Sequence, residues 1–462
     1  MRNLALYLTV LVISTCGLVY ELVAGAAATY LLGDQVTQFA TVVGVHLTCM
    51  GFGAWATRGV ERDVARRFVD CQLAAALVGG ASVPMMFLAF AHTAWVRPVI
   101  YLCVALTGAL VGAEVPLFLR VLRRRVSFAD LLARALSVDY MGALLGSLAF
   151  ALVVLPRLGL VRAGLAFGAL NALTALYSAQ LLASSIDDLG PLRRRAYAVL
   201  ALLALGVALA PALTKRVDEE VSLDPVIFVR QTRYQRVVVT RGHGGMNLFL
   251  DGNLQFAQTD EHRYHEALVH PALTTARRRD RVLVLGGGDG LAVREILRYP
   301  DVAKVTLVEL DPEMIALARD THWLRELNRG SLRSPRVEVV FDDAMVWLDR
   351  TAARTEKFDA AIVDFPDPNN FALGKLYTAR FYRLLRARLR DDAVVAVQST
   401  SPLVARRSYW CIVRTMEHAG FRVRPYHALV PSFGEWGYAL ATPTEMGAPG
   451  PLPMGLRYLN EA

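Results

Sequence analysis

An aspartate set among glycines, Leu285-Gly286-Gly287-Gly288-Asp289-Gly290, is where residue types and spacing first suggest chemistry. Glycines let a backbone turn sharply and approach a ligand closely. The run follows an apolar segment and opens a helical one, the setting of a nucleotide-binding turn, with Gly286 and Gly288 nearest the ligand. Glu309 ends the next apolar segment about 20 residues on, where an acid accepts hydrogen bonds from both ribose hydroxyls. The competing reading of Glu309 is a surface acid at a strand end. Asp343 ends a third segment and can accept an adenine amino hydrogen, while Asp342 beside it reads as a helix cap.

Asp289 separates the nucleotide chemistries. A pyrophosphate cofactor would be repelled by an aspartate in this loop, and so would the α-carboxylate of S-adenosylmethionine. Decarboxylated S-adenosylmethionine keeps only its ammonium and would be attracted. A charge pair at about 4 Å is worth about 4 kcal/mol at an effective dielectric of about 20, before desolvation. The competing reading of Asp289 is a helix N-cap without a ligand role.

Asp364-Phe365-Pro366-Asp367-Pro368 ends a fourth apolar segment and faces the same expected crevice. A polyamine acceptor arrives as a dication, so Asp364 and Asp367 favour it. One amine must lose a proton before attacking carbon, and a carboxylate within reach can position it and accept that proton. The competing reading is a turn, which Asp and Pro favour. Tyr264, His265 and Glu266 are consecutive and cannot all share one helix face, so some are structural. His265 reads as a hydrogen-bonding ligand contact, since no second histidine stands at metal spacing. No metal site is expected.

These side chains need strands to carry them. Val226–Val229, Arg236–Thr240 and Asn247–Leu250 are short β-rich runs with glycine punctuation, predicting a small antiparallel sheet. A helix is predicted over Asp260–His270, stopped at Pro271. Strands at Arg281–Leu285, Lys304–Val308, Val337–Phe341, Ala360–Val363 and Val394–Val397 alternate with helices. Those helices are Leu291–Tyr299, Pro312–Arg319, Ala379–Leu389 and Ala405–Ala419. The order predicts a doubly wound, mostly parallel α/β sheet of Rossmann-like type.

Before about residue 213 the pattern differs. The 462-residue chain is 54% hydrophobic and 20% charged, with the apolar excess in this half. Seven runs approach the roughly 20 apolar residues a spanning helix needs. They are Leu4–Ala24, Thr37–Thr57, Cys71–Ala91, Pro98–Leu119, Val138–Leu158, Leu160–Ala183 and Ala196–Leu213. Arg62, Arg66, Arg67, Arg120, Arg123, Arg124, Arg125, Arg193, Arg194 and Arg195 flank them. The +9 net charge is therefore that of membrane-orienting loops, and nucleic acid is not an expected partner. Cys16, Cys49, Cys71, Cys103 and Cys411 form no CxxC and imply neither a disulfide framework nor zinc. Glu21, Glu114 and Asp139 fall in or near the runs, where charge is costly; they read as a proton or substrate path, or as interface residues paired to arginine. Gly108, Gly112, Gly142 and Gly146 suit close helix packing. The expected division is an all-α multi-pass membrane domain at 1–213, a small β subdomain with linking helix at 214–275, a Rossmann-like catalytic domain at 276–445 and a tail at 446–462.

Taken in order, Tyr234-Gln235, Leu250–Gln255, Asp260–Glu266, Gly286–Gly290, Glu309–Asp311, Asp342–Ala344 and Asp364–Pro368 resemble the motifs of the spermidine synthase family of polyamine aminopropyltransferases. The resemblance spans about Val226–Leu440. It implies aminopropyl transfer from decarboxylated S-adenosylmethionine, a co-substrate, to putrescine or a related amine, with no tightly bound cofactor. It implies Asp364 as proton acceptor and Asp289 as holder of the aminopropyl ammonium. Glu309 would bind ribose, Asp343 and Ala344 the adenine region and Gln235 the nucleoside. Tyr264, His265 and Asp367 would line the amine site. Phe365 and Pro366 stand where the family has small polar residues, and Phe433 where a tyrosine often lies, so Glu435 is expected to supply a replacement charge. Membrane-fused relatives are known in the family.

The expected partners are the polyamine and the lipid bilayer, with a homo-oligomer left open. The expected location is the cell (inner) membrane with the catalytic domain cytoplasmic. That side conflicts with a seven-span count under the positive-inside rule, unless one run falls short of a full span or the first run and its continuation to Leu32 form a hairpin. Two other readings stand: an S-adenosylmethionine-dependent methyltransferase, and a polyamine transporter with a sensory nucleotide-binding domain.

Overall fold

A computed structural model describes residues 2–32, 35–93, 95–122, 128–221, 224–368 and 371–460. Arg123, Arg124 and Arg125 lie outside the described residues. The chain divides into two compact units, Met1–Val226 and Ile227–Ala462.

The first unit is helical: α1 (Arg2–Leu32), α2 (Gln35–Ala56), α3 (Val64–His92), α4 (Val96–Leu122), α5 (Phe128–Ala149), α6 (Leu155–Leu181) and α7 (Gly190–Val221). Among the described residues six stretches are long and apolar enough to cross a membrane, against the seven runs expected. The difference lies in Leu131–Leu181, one 51-residue stretch holding the fifth and sixth runs. As a straight rod it would exceed about 70 Å at about 1.5 Å per residue, over twice a bilayer's hydrocarbon thickness of about 30 Å. It is not straight, because Gly159 has non-helical angles (φ 69°, ψ 179°). α5 and α6 both pack on α1: Gly146 lies against Thr15, and the Tyr20 hydroxyl donates to Phe167 O at 3.2 Å. α1 continues unbroken to Leu32, so the first run is not a hairpin. The glycines act as expected: a Cβ on Gly108 would lie 2.6 Å from His46 O, and one on Gly146 2.9 Å from Thr15 O.

The second unit opens with a four-stranded sheet of β1 (Val226–Gln231), β2 (Arg236–Gly242), β3 (Gly245–Leu250) and β4 (Asn253–Ala257), in that order. α8 (Glu261–Thr275) follows and runs through Pro271, correcting the predicted stop. Proline removes the amide that Ala267 O would receive, and the Tyr426 hydroxyl donates to that carbonyl instead, at 2.7 Å. Alternation then sets in: β5 (Arg281–Gly286), α9 (Leu291–Ile296), β6 (Lys304–Glu309), α10 (Pro312–Asp320), α11 (His322–Leu327), β7 (Val337–Phe341), α12 (Ala344–Thr351) and β8 (Phe358–Asp364). After these come α13 (Phe371–Gly374), α14 (Ala379–Ala387), β9 (Leu389–Gln398), α15 (Arg406–His418), β10 (Arg422–Val430) and β11 (Gly434–Thr442).

The second sheet has the order β10-β11-β9-β8-β5-β6-β7. Its five strands from β5 to β9 pair in parallel, and β11 and β10 add an antiparallel edge. Sequence reading did not assign that edge. β10 carries Arg422, Arg424, Pro425 and His427, a composition tolerated only where one side of a strand lies unpaired. Apolar residues on the two faces of the sheet form separate cores, one with α8, α9 and α10 and the other with α12, α14 and α15. From β5 the chain winds outward to β7, then returns to β8 on the other side of β5. The switch point is thus between β5 and β8, where Gly286 is registered beside Asp364 at the carboxyl ends.

Candidate active site

The glycine turn is shaped by what it must avoid. Gly286 and Gly287 have φ of 77° and 69°, and a Cβ on Gly287 would lie 3.0 Å from an Asp364 carboxylate oxygen. A Cβ on Gly288 would lie 2.8 Å from Glu309 Oε2. One cavity at the switch point is lined by Gln235, Tyr264, His265, Gly286, Gly287, Gly288, Asp289, Glu309, Asp343, Ala344 and Asp364. Gln255, Asp311, Phe365, Pro366 and Leu376 complete much of its wall.

Asp364 accepts a hydrogen bond from the Tyr264 hydroxyl at 2.7 Å. Burial pushes its carboxyl up to about 6, with the Asp289 carboxylate adding to the rise and the His265 cation opposing it. Burial also raises Asp289. Its Oδ1 accepts from Leu291 N at 2.8 Å, closing the turn ahead of α9, whose N-cap is Gly290 and not Asp289, and the same side chain lines the cavity. Burial raises Glu309 to about 7, opposed by the Asp311 amide that donates to it at 3.0 Å and aided by the Asp311 carboxylate. Gln235 is oriented by its amide donating to Asp311 Oδ2 at 3.1 Å, and the Thr232 hydroxyl donates to the same oxygen at 2.7 Å.

His265 is held from behind. Its Nδ1 lies 2.7 Å from Glu261 O and 3.0 Å from Glu261 Oε2. Burial works against its charge, but the Glu261 carboxylate prevails and pushes it up to about 9. Arg294 binds both Glu261 oxygens, at 2.9 and 2.8 Å, and donates to Glu295 at 2.8 Å. Glu295 in turn meets His270 at 3.1 Å. Glu261 and Glu295 are buried, and truncating their shared arginine leaves Glu261 with His265 alone and Glu295 with His270 and Arg298. Arg294→Met is expected to cost about 3–5 kcal/mol. A fall in the midpoint of thermal or urea unfolding of the full chain checks this; an unchanged midpoint contradicts it.

Several expected positions are corrected. Asp343, not Asp342, caps α12, accepting from Met345 N and Val346 N at 2.9 and 3.2 Å. Its other oxygen pairs with Lys375, which keeps its carboxyl below the ordinary range despite burial, while Asp342 pairs with Arg350 at 2.6 Å. Asp367 does not line the cavity; Thr400 and Gln398 donate to it at 3.0 and 3.4 Å. Glu435 is not brought to the cavity either. It pairs with His427 at 2.7 Å across β10 and β11, because the neighbouring aromatic side chains, Phe433 and Trp436, pack together and turn inward. Glu266 is structural, accepting from the amides of Arg457, Tyr458 and Leu459 at 2.8 to 3.0 Å.

Sequence reasoning missed Glu261, Arg294 and Asp311 as positioning residues. Glu261 and Asp311 fell inside motifs already noted, but nothing local signals Arg294, which meets Glu261 only through tertiary packing.

A cavity at a switch point, walled by a glycine turn and half-buried acids, defines a Rossmann-like transferase for a nucleoside-bearing donor. Residues 261–448 match the family model described as "Spermine/spermidine synthase domain". A polyamine aminopropyltransferase of Leptospira interrogans is 45% identical over 99% of this chain and 91% of its own length. Polyamine aminopropyltransferase 2 of Ralstonia nicotianae is 50% identical over 96% of this chain and 87% of its own. A solved spermidine synthase in complex with the transition state analogue AdoDATO is 28% identical, covering 47% of this chain and 74% of that one, with a TM-score of 0.45. The chain belongs to the polyamine aminopropyltransferase family.

Proposed function

We propose that this enzyme transfers the aminopropyl group of decarboxylated S-adenosylmethionine to putrescine or a related amine. Spermidine, or the corresponding longer polyamine, and methylthioadenosine are the products. One observation carries the reading: two half-buried carboxylates, Asp289 and Asp364, flank a glycine turn at the sheet's switch point. The glycine turn and Glu309 hold the nucleoside, with Gln235 beside it and Asp343 and Ala344 at the adenine. Asp289 faces the aminopropyl ammonium. Tyr264 occupies one oxygen of Asp364 and leaves the other for the acceptor amine. The amine nitrogen attacks the methylene carbon beside the sulfonium, the carbon–sulfur bond breaks with its electron pair going to sulfur, and Asp364 takes the nitrogen's proton. The sulfonium is a good leaving group, so orientation and deprotonation supply most of the acceleration. Tyr264 and His265 bound the amine side.

Purified enzyme incubated with decarboxylated S-adenosylmethionine and a panel of diamines is expected to yield methylthioadenosine and a longer amine by mass spectrometry. Methyl transfer from intact S-adenosylmethionine, or no methylthioadenosine with any amine, rejects the reading. Activity depends on an ionised Asp364, so kcat/KM is expected to fall about tenfold per pH unit below about 6, the value to which burial raises the group. A profile flat from pH 7 to 5 contradicts that role.

Residues 1–213, within the first unit, are read as a multi-pass domain of the cell (inner) membrane. Apolar side chains such as Leu144, Leu148, Leu152, Leu202, Leu205 and Leu209 are exposed on its helices, which suits contact with lipid. The catalytic unit is placed in the cytoplasm, where its donor nucleotide is made. Cys411 is exposed on α15 and reports the side. A membrane-impermeant maleimide is expected to label it after lysis and not in intact spheroplasts; labelling in intact spheroplasts reverses the assignment.

A further inference from the structure

Four helices of the first unit bring polar side chains into an apolar interior. Glu114 on α4 is 2% exposed, Asn171 on α6 1% and Gln72 on α3 0%. Both carboxylate oxygens of Glu114, and both amide atoms of Asn171 and Gln72, make no well-formed hydrogen bond among the described residues. Their spacing makes them one cluster. Asn171 stands close enough to Glu114, and to Tyr20 on α1, for a weak side-chain hydrogen bond to act on each. On α3, Cys71 feels the Glu114 carboxylate. Gly168 sits against Ala76 and Gly80, and Gly164 against Gly80 and Val83, so α3 and α6 run antiparallel. One turn beyond the Ala76–Gly168 contact, both helices arrive together at Gln72 and Asn171. Tyr20 lies near the middle of the apolar stretch Leu4–Leu32, which sets the cluster at membrane depth.

Unpaired polar atoms are costly in a protein interior and more so inside a bilayer, where water does not relieve them. A carboxylate there marks a binding or translocation site unless a fixed partner neutralises it. Asp139 is the other charged group facing Glu114, and it is of the same sign. We propose that Glu114, Asn171 and Gln72 form an intramembrane binding site for a primary alkylammonium. Such a group carries one positive charge, three N–H donors and no acceptor. The cluster offers one negative charge and acceptor oxygens on three side chains, none of them held by a well-formed hydrogen bond among the described residues. A proton on Glu114 would cancel the charge but leave the amide oxygens of Asn171 and Gln72 unpaired. The ligand class is that of the amines assigned to the catalytic unit, so the inference rests on that reading and on the membrane-spanning one.

The test uses the full chain in lipid nanodiscs and dicyclohexylcarbodiimide, an apolar reagent for carboxyl groups within membranes, with the modified residue located by peptide mass spectrometry. Label is expected on Glu114, lost when spermidine or putrescine is present and retained with sodium at equal ionic strength. Glu114→Gln is expected to remove the label and keep methylthioadenosine production. Asn171→Leu is expected to leave Glu114 reactive but no longer protected by amine. Labelling that ignores amines, that responds to sodium alone, or that falls with rising pH but not with amine overturns the proposal, as does failure to label Glu114 in protein that still forms product. Product formation is measured in the same nanodiscs. Product without amine protection defeats the intramembrane site alone; protection without product leaves that site standing and removes the aminopropyl-transfer reading.

Discussion

Asp364→Asn is expected to lower kcat about 100- to 10,000-fold, the range over which a positioned general base acts. The substitution keeps the shape of the side chain and an oxygen that accepts the Tyr264 hydroxyl, so the wall of the cavity is preserved. It removes the lone pair that receives the amine's proton. The deficit is therefore one of turnover, with donor binding little changed. Methylthioadenosine release under saturating donor and amine measures it. An unfolding midpoint equal to that of the parent separates lost chemistry from lost structure. Turnover within a few-fold of the parent would assign the proton to another group, and His265 is poorly suited to replace it. With Glu261 behind it, its imidazole holds a proton up to about 9 and has no free site to accept a second near neutrality.

Asp289→Asn is expected to erase discrimination between decarboxylated and intact S-adenosylmethionine by up to about 1,000-fold, the equivalent of about 4 kcal/mol for a close charge pair at moderate dielectric. Desolvation of the aspartate reduces that figure, and burial already raises its carboxyl. Asparagine keeps a side-chain oxygen at the same place, so the 2.8 Å bond from Leu291 N survives and the substitution isolates charge. The measurement is the ratio of dissociation constants for the two sulfonium nucleotides, in parent and variant. The variant gains affinity for the carboxylate-bearing nucleotide and loses it for the decarboxylated one. An unchanged ratio would mean that the pocket selects by shape, and that Asp289 serves α9 alone.

The sequence by itself determined the parts that local physics controls. Apolar runs of strand length between glycine and acid termini placed β5 to β9, and the long apolar runs with arginines at their ends placed the helices of the first unit. Gly286–Gly290, Glu309 and Asp364 were legible because a ligand crevice lies at the carboxyl ends of parallel strands, where each of these stood in the linear order. Tertiary structure decided what depends on partners distant in the chain. It gave α8 its passage through Pro271, because Tyr426, 159 residues away, takes up the orphaned carbonyl of Ala267. It turned Glu435 toward His427 and Asp367 toward Thr400, since neighbouring strands and not local sequence fix which carboxylate faces a cavity. It also stacked Arg294 on Glu261 and collected Glu114, Asn171 and Gln72 from three helices. Burial is a property of the assembled interior, and so a polar residue's partners, or its lack of them, are set only when the helices and strands have packed.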